Sequence, residues 1–120
     1  MSGKTPEMHL LVIILYREDL LDEVLSALVE MEITGAPVVE STNMEQVLSE
    51  DVPIFAGLWQ TTGGHGQTKM IFAPIHDPGL LDPLMALLHG SGVDFSHPDV
   101  GRAFLIPAEA YWGPEDGDHR

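Results

Sequence analysis

The chain has no cysteine and only five lysines and arginines, against 19 acidic side chains. Without cysteine there are no disulfides, no thiolate metal sites and no thiol nucleophile, which suits a cytosolic setting. The cations are Lys4, Arg17, Lys69, Arg102 and Arg120, scattered along the chain, and the formal net charge is −14. A nucleic-acid partner needs a dense basic surface to neutralise phosphates, and an anionic membrane surface repels so acidic a chain. No apolar run approaches the ~20 residues of a membrane span. The longest, Leu10 to Leu15, is strand-sized and lacks the basic flank and cleavage site of a signal peptide. The expectation is a cytoplasmic protein with no nucleic-acid partner and no membrane insertion.

What is present is enough for one core. At 120 residues, 44% of them hydrophobic, a chain buries roughly two-thirds of its unfolded surface without help from metal or disulfide. A single domain spanning residues 1–120 is expected, with an acidic tail at 113–120.

Residues 9–16 are apolar without alternation, as in a strand buried on both faces. From Asp19 to Met31 the apolar residues fall at 20, 21, 24, 25, 28 and 31, one stripe of an amphipathic helix with Asp19 as its expected cap. Gly35 reads as its left-handed exit and residues 36–41 as a second strand, with Pro37 at its start or on an edge. Residues 42–67 form an irregular excursion, in which 44–48 suit a short helix, 53–59 look extended, and Thr61 to Gly66 has turn composition. Residues 69–75 resume as a strand that can pair with 36–41, with 53–59 or with both. Asp77-Pro78 opens a second helix by an aspartate cap and a proline at its first position. Its stripe at 80, 81, 84, 85 and 88 repeats the first, while Pro83 requires a kink or a later start. Residues 103–106 are the last strand. The order strand–helix–strand–strand–helix–strand predicts a ferredoxin-like α+β domain, a four-stranded antiparallel sheet with two helices on one face.

Two helices cover one sheet face only, yet the strands at 10–15 and 103–106 are apolar on both. At roughly 25 cal/mol per Å² of apolar surface, leaving the second face wet forfeits several kcal/mol. Copies of the same chain packed sheet against sheet solve this better than the narrow excursion, so an oligomer is expected.

The phrase Ile33-Thr34-Gly35, after an acidic helix and before the β-branched strand Val38-Val39, resembles the helix-exit signature of nitrogen-regulatory PII signalling proteins. The likeness extends in order and spacing over residues 8–112, and residues 42–67 fall where that family carries its T-loop. The resemblance implies a homotrimer with sheets facing inward, effector clefts between subunits that take an adenine nucleotide (ATP, ADP or AMP), and docking of the T-loop on a regulated enzyme or transporter. The effector-binding candidates on this chain are Thr34, Gly35, Lys69, Gly101 and Arg102. Ile54, Phe55 and Trp59 are apolar residues on a protruding segment, which either pack back onto the body or a neighbouring subunit or form the partner-docking surface. The chain departs from the family at both nucleotide motifs. Asn43-Met44-Glu45-Gln46-Val47 replaces a glycine-rich turn, and only Gly101-Arg102 keeps the type of the family's phosphate loop, a small residue before a cation. The tyrosine that some relatives modify has no counterpart in the excursion.

Other chemistry has weaker support in the residues. Gly63-Gly64-His65-Gly66-Gln67-Thr68-Lys69 is not a P-loop, which needs Gly-Lys-Ser/Thr opening a helix. The histidines at 9, 65, 76, 89, 97 and 119 include no i, i+4 pair, so no metal ligands are assigned. His97 near Asp99, or His76 near Asp77, remains available to a site between subunits. No serine has a nucleophile motif around it, and the expectation is a regulatory protein and not an enzyme. Two alternatives stay open: a metal-binding ferredoxin-like trimer of the divalent-cation-tolerance type, and a small ferredoxin-like enzyme.

Overall fold

The computed structural model describes residues 8–51, 54 and 68–114. They form β1 (His9–Leu15), α1 (Leu21–Glu30), β2 (Val38–Ser41), α2 (Met44–Asp51), β3 (Thr68–Ile75), α3 (Leu81–Gly90) and β4 (Gly101–Pro107). The fold is α+β, with the four strands in one antiparallel sheet ordered β2-β3-β1-β4.

The two halves are built alike. The first and third strands, β1 and β3, are each followed by a single 3₁₀ turn, Glu18–Leu20 or Pro78–Leu80, that feeds the next helix. The sequence stripes map onto this framework, with Val24, Ala27 and Leu28 of α1 and Leu84 and Leu88 of α3 buried. They pack on Leu11, Ile13, Leu15, Ile71, Ala73 and Ile75, alternate residues of the two central strands. Both helices therefore cover the same face. Truncating one of these leucines, such as Leu88→Ala, costs about 2–5 kcal/mol.

Helix starts differ from the expectation on one side. Asp77 caps as read, its side chain accepting a hydrogen bond from the Gly79 amide, with Pro78 at the first position. Asp19 does not cap. It lies inside the 3₁₀ turn, and its carboxylate accepts two hydrogen bonds from the Arg17 guanidinium. Pro83 needs no kink, because it falls in the first turn of α3, where backbone N–H groups have no intrahelical acceptor.

Both helices leave by the same motif. Ile33 N donates to Leu28 O and Glu32 N to Val29 O, while Val93 N donates to Leu88 O and Gly92 N to His89 O. These are Schellman pairs, each with a left-handed residue after the cap. In the first helix that residue is Glu32, at φ 63°, and not Gly35, which takes its own positive φ three positions later.

β2 is an edge strand that starts at Val38, two residues later than expected, with Pro37 just before it. The Pro37 carbonyl still accepts from Phe72 N, which extends the pairing by one bond. β3 pairs with β2 on one side and β1 on the other. The short helix expected at 44–48 runs on to Asp51 and buries none of its residues. The extended segment read at 53–59 lies outside the described residues except for Ile54, as do the glycine-rich turn at 61–66 and the tail beyond 114.

The second sheet face carries Leu10, Val12 and Ile14, Met70 and Phe72, Phe104 and Ile106, and Val39 at the edge, matched row by row through the strand register. No described helix covers it. Phe104, Ile106 and Val39 are nearly half exposed, at 46%, 48% and 45%. Val12, wedged between Phe72 and Phe104, is buried.

Candidate functional site

The strand register divides the candidate effector residues between two ends of the sheet. Lys69 and Gly101 both stand opposite Leu15, at the end where β1 finishes, and Arg102 is opposite Ile14. Thr34 and Gly35 lie at the other end, beside Ile75 and His76. One copy of the chain does not bring these five residues together.

The first end is an open cleft lined by Arg17, Glu18, Asp19, Leu21, Lys69 and Asp99. Lys69 Nζ sits 2.6 Å from Glu40 Oε2 and 3.8 Å from Glu18 Oε1, with the side chain only 13% exposed. Arg17 is held by Asp19 at 2.7 Å. The hydrogen bond and charge of Asp19 raise the guanidinium above its ordinary value, and Asp99 adds to the shift. The cations of this cleft are thus already matched by carboxylates, and a bound anion must compete with them.

Arg102 differs. Its side chain projects from the uncovered face, where Nε donates to the Tyr16 hydroxyl at 3.1 Å. Among the described residues it is the cation without a carboxylate partner. Its neighbour Gly101 is required by packing. At φ 154°, a Cβ there would collide with the Ile14 carbonyl oxygen across the strand pair. The small residue before the cation is therefore explained by strand pairing, with no phosphate needed.

At the second end, the loop after α1, the turn after β3 and the segment Tyr111–Pro114 enclose a groove of about 570 Å³. Its floor is apolar, from Met8, Ile33 and Ile75, all buried. Trp112 stands on its wall and is 74% exposed. His76 lines it too, with a buried Nδ1 that has no hydrogen-bond partner. His9, at the same end of the sheet, has the same kind of orphaned Nδ1. Sequence reasoning missed this groove, because Tyr111 and Trp112 follow the last strand with no periodicity to place them.

Two histidines, His89 and His97, stand on the exposed surface around one carboxylate. His97 approaches Asp94, 3.6 Å from its Oδ2, and not Asp99, and His89 approaches the same oxygen at 3.8 Å. Asp94 Oδ1 accepts from both the amide and the hydroxyl of Ser96. These bonds, the hydroxyl first, hold the Asp94 carboxyl below its ordinary value, with a smaller contribution from the two imidazoles. No three His, Asp or Glu side chains among the described residues stand together as a metal-binding group.

Of the docking residues read in the excursion, Ile54 is 84% exposed, while Phe55 and Trp59 lie outside the described residues. No described helix is long and apolar enough to cross a membrane. No protein-family model matches the chain, and no curated protein matches it.

Proposed function

We propose that the chain is a cytoplasmic regulatory protein of the PII-like type, a ferredoxin-like domain that works as a homotrimer and is not an enzyme. The observation that carries this reading is the apolar sheet face that no described helix covers, from Leu10 and Val12 to Phe104 and Ile106, with Arg102 at its rim. A contiguous apolar surface of this kind is rare on a monomer. Burying it against copies of itself gives a closed assembly from one patch. Assembly also resolves the separation of the candidate residues. Thr34 and Gly35 of one copy and Lys69, Gly101 and Arg102 of the next then flank a cleft between subunits, where a small effector such as an adenine nucleotide binds. Residues 42–67 act as the T-loop that reports to a regulated enzyme or transporter, with Ile54, Phe55 and Trp59 as docking residues. Effector binding orders that loop and shifts it between partner-competent and incompetent shapes.

Isothermal titration calorimetry with ATP, ADP and AMP tests the sensing step, with Arg102→Ala as control. Micromolar binding that the substitution abolishes supports a nucleotide effector. Absence of heat with all three removes the nucleotide from the proposal.

A further inference from the structure

The groove at the Thr34–Gly35 end is formed within one chain, so its ligand can be argued without reference to the assembly. Its size, about 570 Å³, suits a small molecule. Its charge is one-sided. Glu32 and Asp77 line it, and among the described residues no lysine or arginine does. The Glu32 carboxylate makes no side-chain hydrogen bond or ion pair among the described residues, and one Asp77 oxygen is committed to the Gly79 amide. The described cations, Arg17, Lys69 and Arg102, all lie toward the opposite end of the sheet. Among the described residues no lysine or arginine stands against its two carboxylates, and His76 is the one basic side chain on its lining, in a chain whose net charge is −14.

The aromatic content points the same way. Trp112 is 74% exposed beside Tyr111, whose hydroxyl donates to the Pro114 carbonyl and so fixes the segment that carries both rings. An exposed indole is a costly surface to leave wet, and its face attracts a positive charge. Within a single copy, without Lys69 and Arg102 of a neighbour, an anion would meet Glu32 and Asp77 here, and a neutral apolar ligand would leave them unused.

We propose that this groove binds a small hydrophobic organic cation, an ammonium bearing an aromatic or aliphatic arm. The arm lies on the floor of Met8, Ile33 and Ile75, the charge sits at the Trp112 face, and Glu32 supplies the counter-charge. This ligand class differs from the nucleotide of the regulatory reading, and the two are separable by experiment.

The test follows Trp112 fluorescence in a Trp59→Phe background, titrated with benzyltrimethylammonium, with benzyl alcohol as the neutral ring and with AMP as the anion. The expected result is saturable quenching by the ammonium, about tenfold tighter than by the alcohol, because the cation–π contact and the carboxylate act only on the charge. Glu32→Gln, which keeps the backbone and side-chain length, weakens the ammonium about threefold and leaves the alcohol unchanged. Equal affinity for ammonium and alcohol, no saturable response to the ammonium, or tighter binding of AMP overturns the proposal. The first two results leave the regulatory reading standing, since calorimetry tests that independently.

Discussion

Glu32 and Gly92 occupy the same place in the two halves of the molecule, the left-handed residue after the helix, at φ 63° and 93°. The hydrogen bonds around them match pair for pair, and the residues that follow, Ile33 and Val93, are both buried. Glycine takes this conformation freely, whereas a residue with a Cβ pays about 1 kcal/mol or more. Glu32→Gly should therefore raise unfolding free energy by about 1 kcal/mol, and Gly92→Ala should lower it by a similar amount. Urea denaturation of the two variants beside the parent chain checks both signs. A Glu32→Gly variant that is less stable would mean the glutamate side chain makes a stabilising contact that outweighs the backbone strain.

Gly101 is held by a different constraint, the closeness of the β1 backbone. A methyl group there must displace the Ile14 carbonyl and also adopt an unfavourable φ of 154°. Gly101→Ala is expected to destabilise by more than the ~1–3 kcal/mol of backbone strain alone, read as a lowered thermal midpoint. Arg102→Ala removes only an exposed hydrogen bond to Tyr16 and should change the unfolding free energy by no more than about 1 kcal/mol, leaving the midpoint close to the parent's. If the two variants melted alike, the packing account of Gly101 would fail.

Asp94 links pH to the loop after α3. Because its folded value is lowered, by the Ser96 hydroxyl and then the Ser96 amide, its contribution to stability is present above the ordinary carboxylate value. That contribution is lost as pH falls through the lowered value. Ser96→Ala deletes the hydroxyl bond and should move the Asp94 titration upward toward the ordinary range, as read by carbon NMR of the carboxyl. His97→Ala should move it less, since the imidazole lies 3.6 Å away on an exposed surface. A larger shift from His97→Ala would make the imidazole, and not the serine, the main cause.

Much of the framework was legible because periodicity and capping are local. The stripes at 20, 21, 24, 25, 28 and at 80, 81, 84, 85, 88 became α1 and α3 on one core, and Asp77-Pro78 capped as its residues imply. Locally ambiguous features went the other way. Asp19 looked like a cap, but Arg17 two residues earlier offers its carboxylate a charged partner. Glycine is the usual left-handed residue at a helix exit, which points to Gly35, while the chain places Glu32 there. The candidate site was less legible still. Thr34 and Lys69 are chemically plausible together, but the antiparallel register sets them at opposite ends of the sheet. The groove under Trp112 and the Asp94 cluster depend on where a loop and a terminal segment land, which no spacing in the sequence encodes.

The uncovered sheet face is the feature on which the regulatory proposal stands, and native mass tests it most directly. Sedimentation equilibrium at micromolar concentration should return three times the chain mass of 13.1 kDa for the parent protein. Phe104→Asp, which places a charge on that face at the half-exposed edge strand β4, beside Val12, should return the single-chain mass with the fold retained by circular dichroism. A parent protein that sediments as one chain, or a Phe104→Asp variant that stays trimeric, would contradict the account.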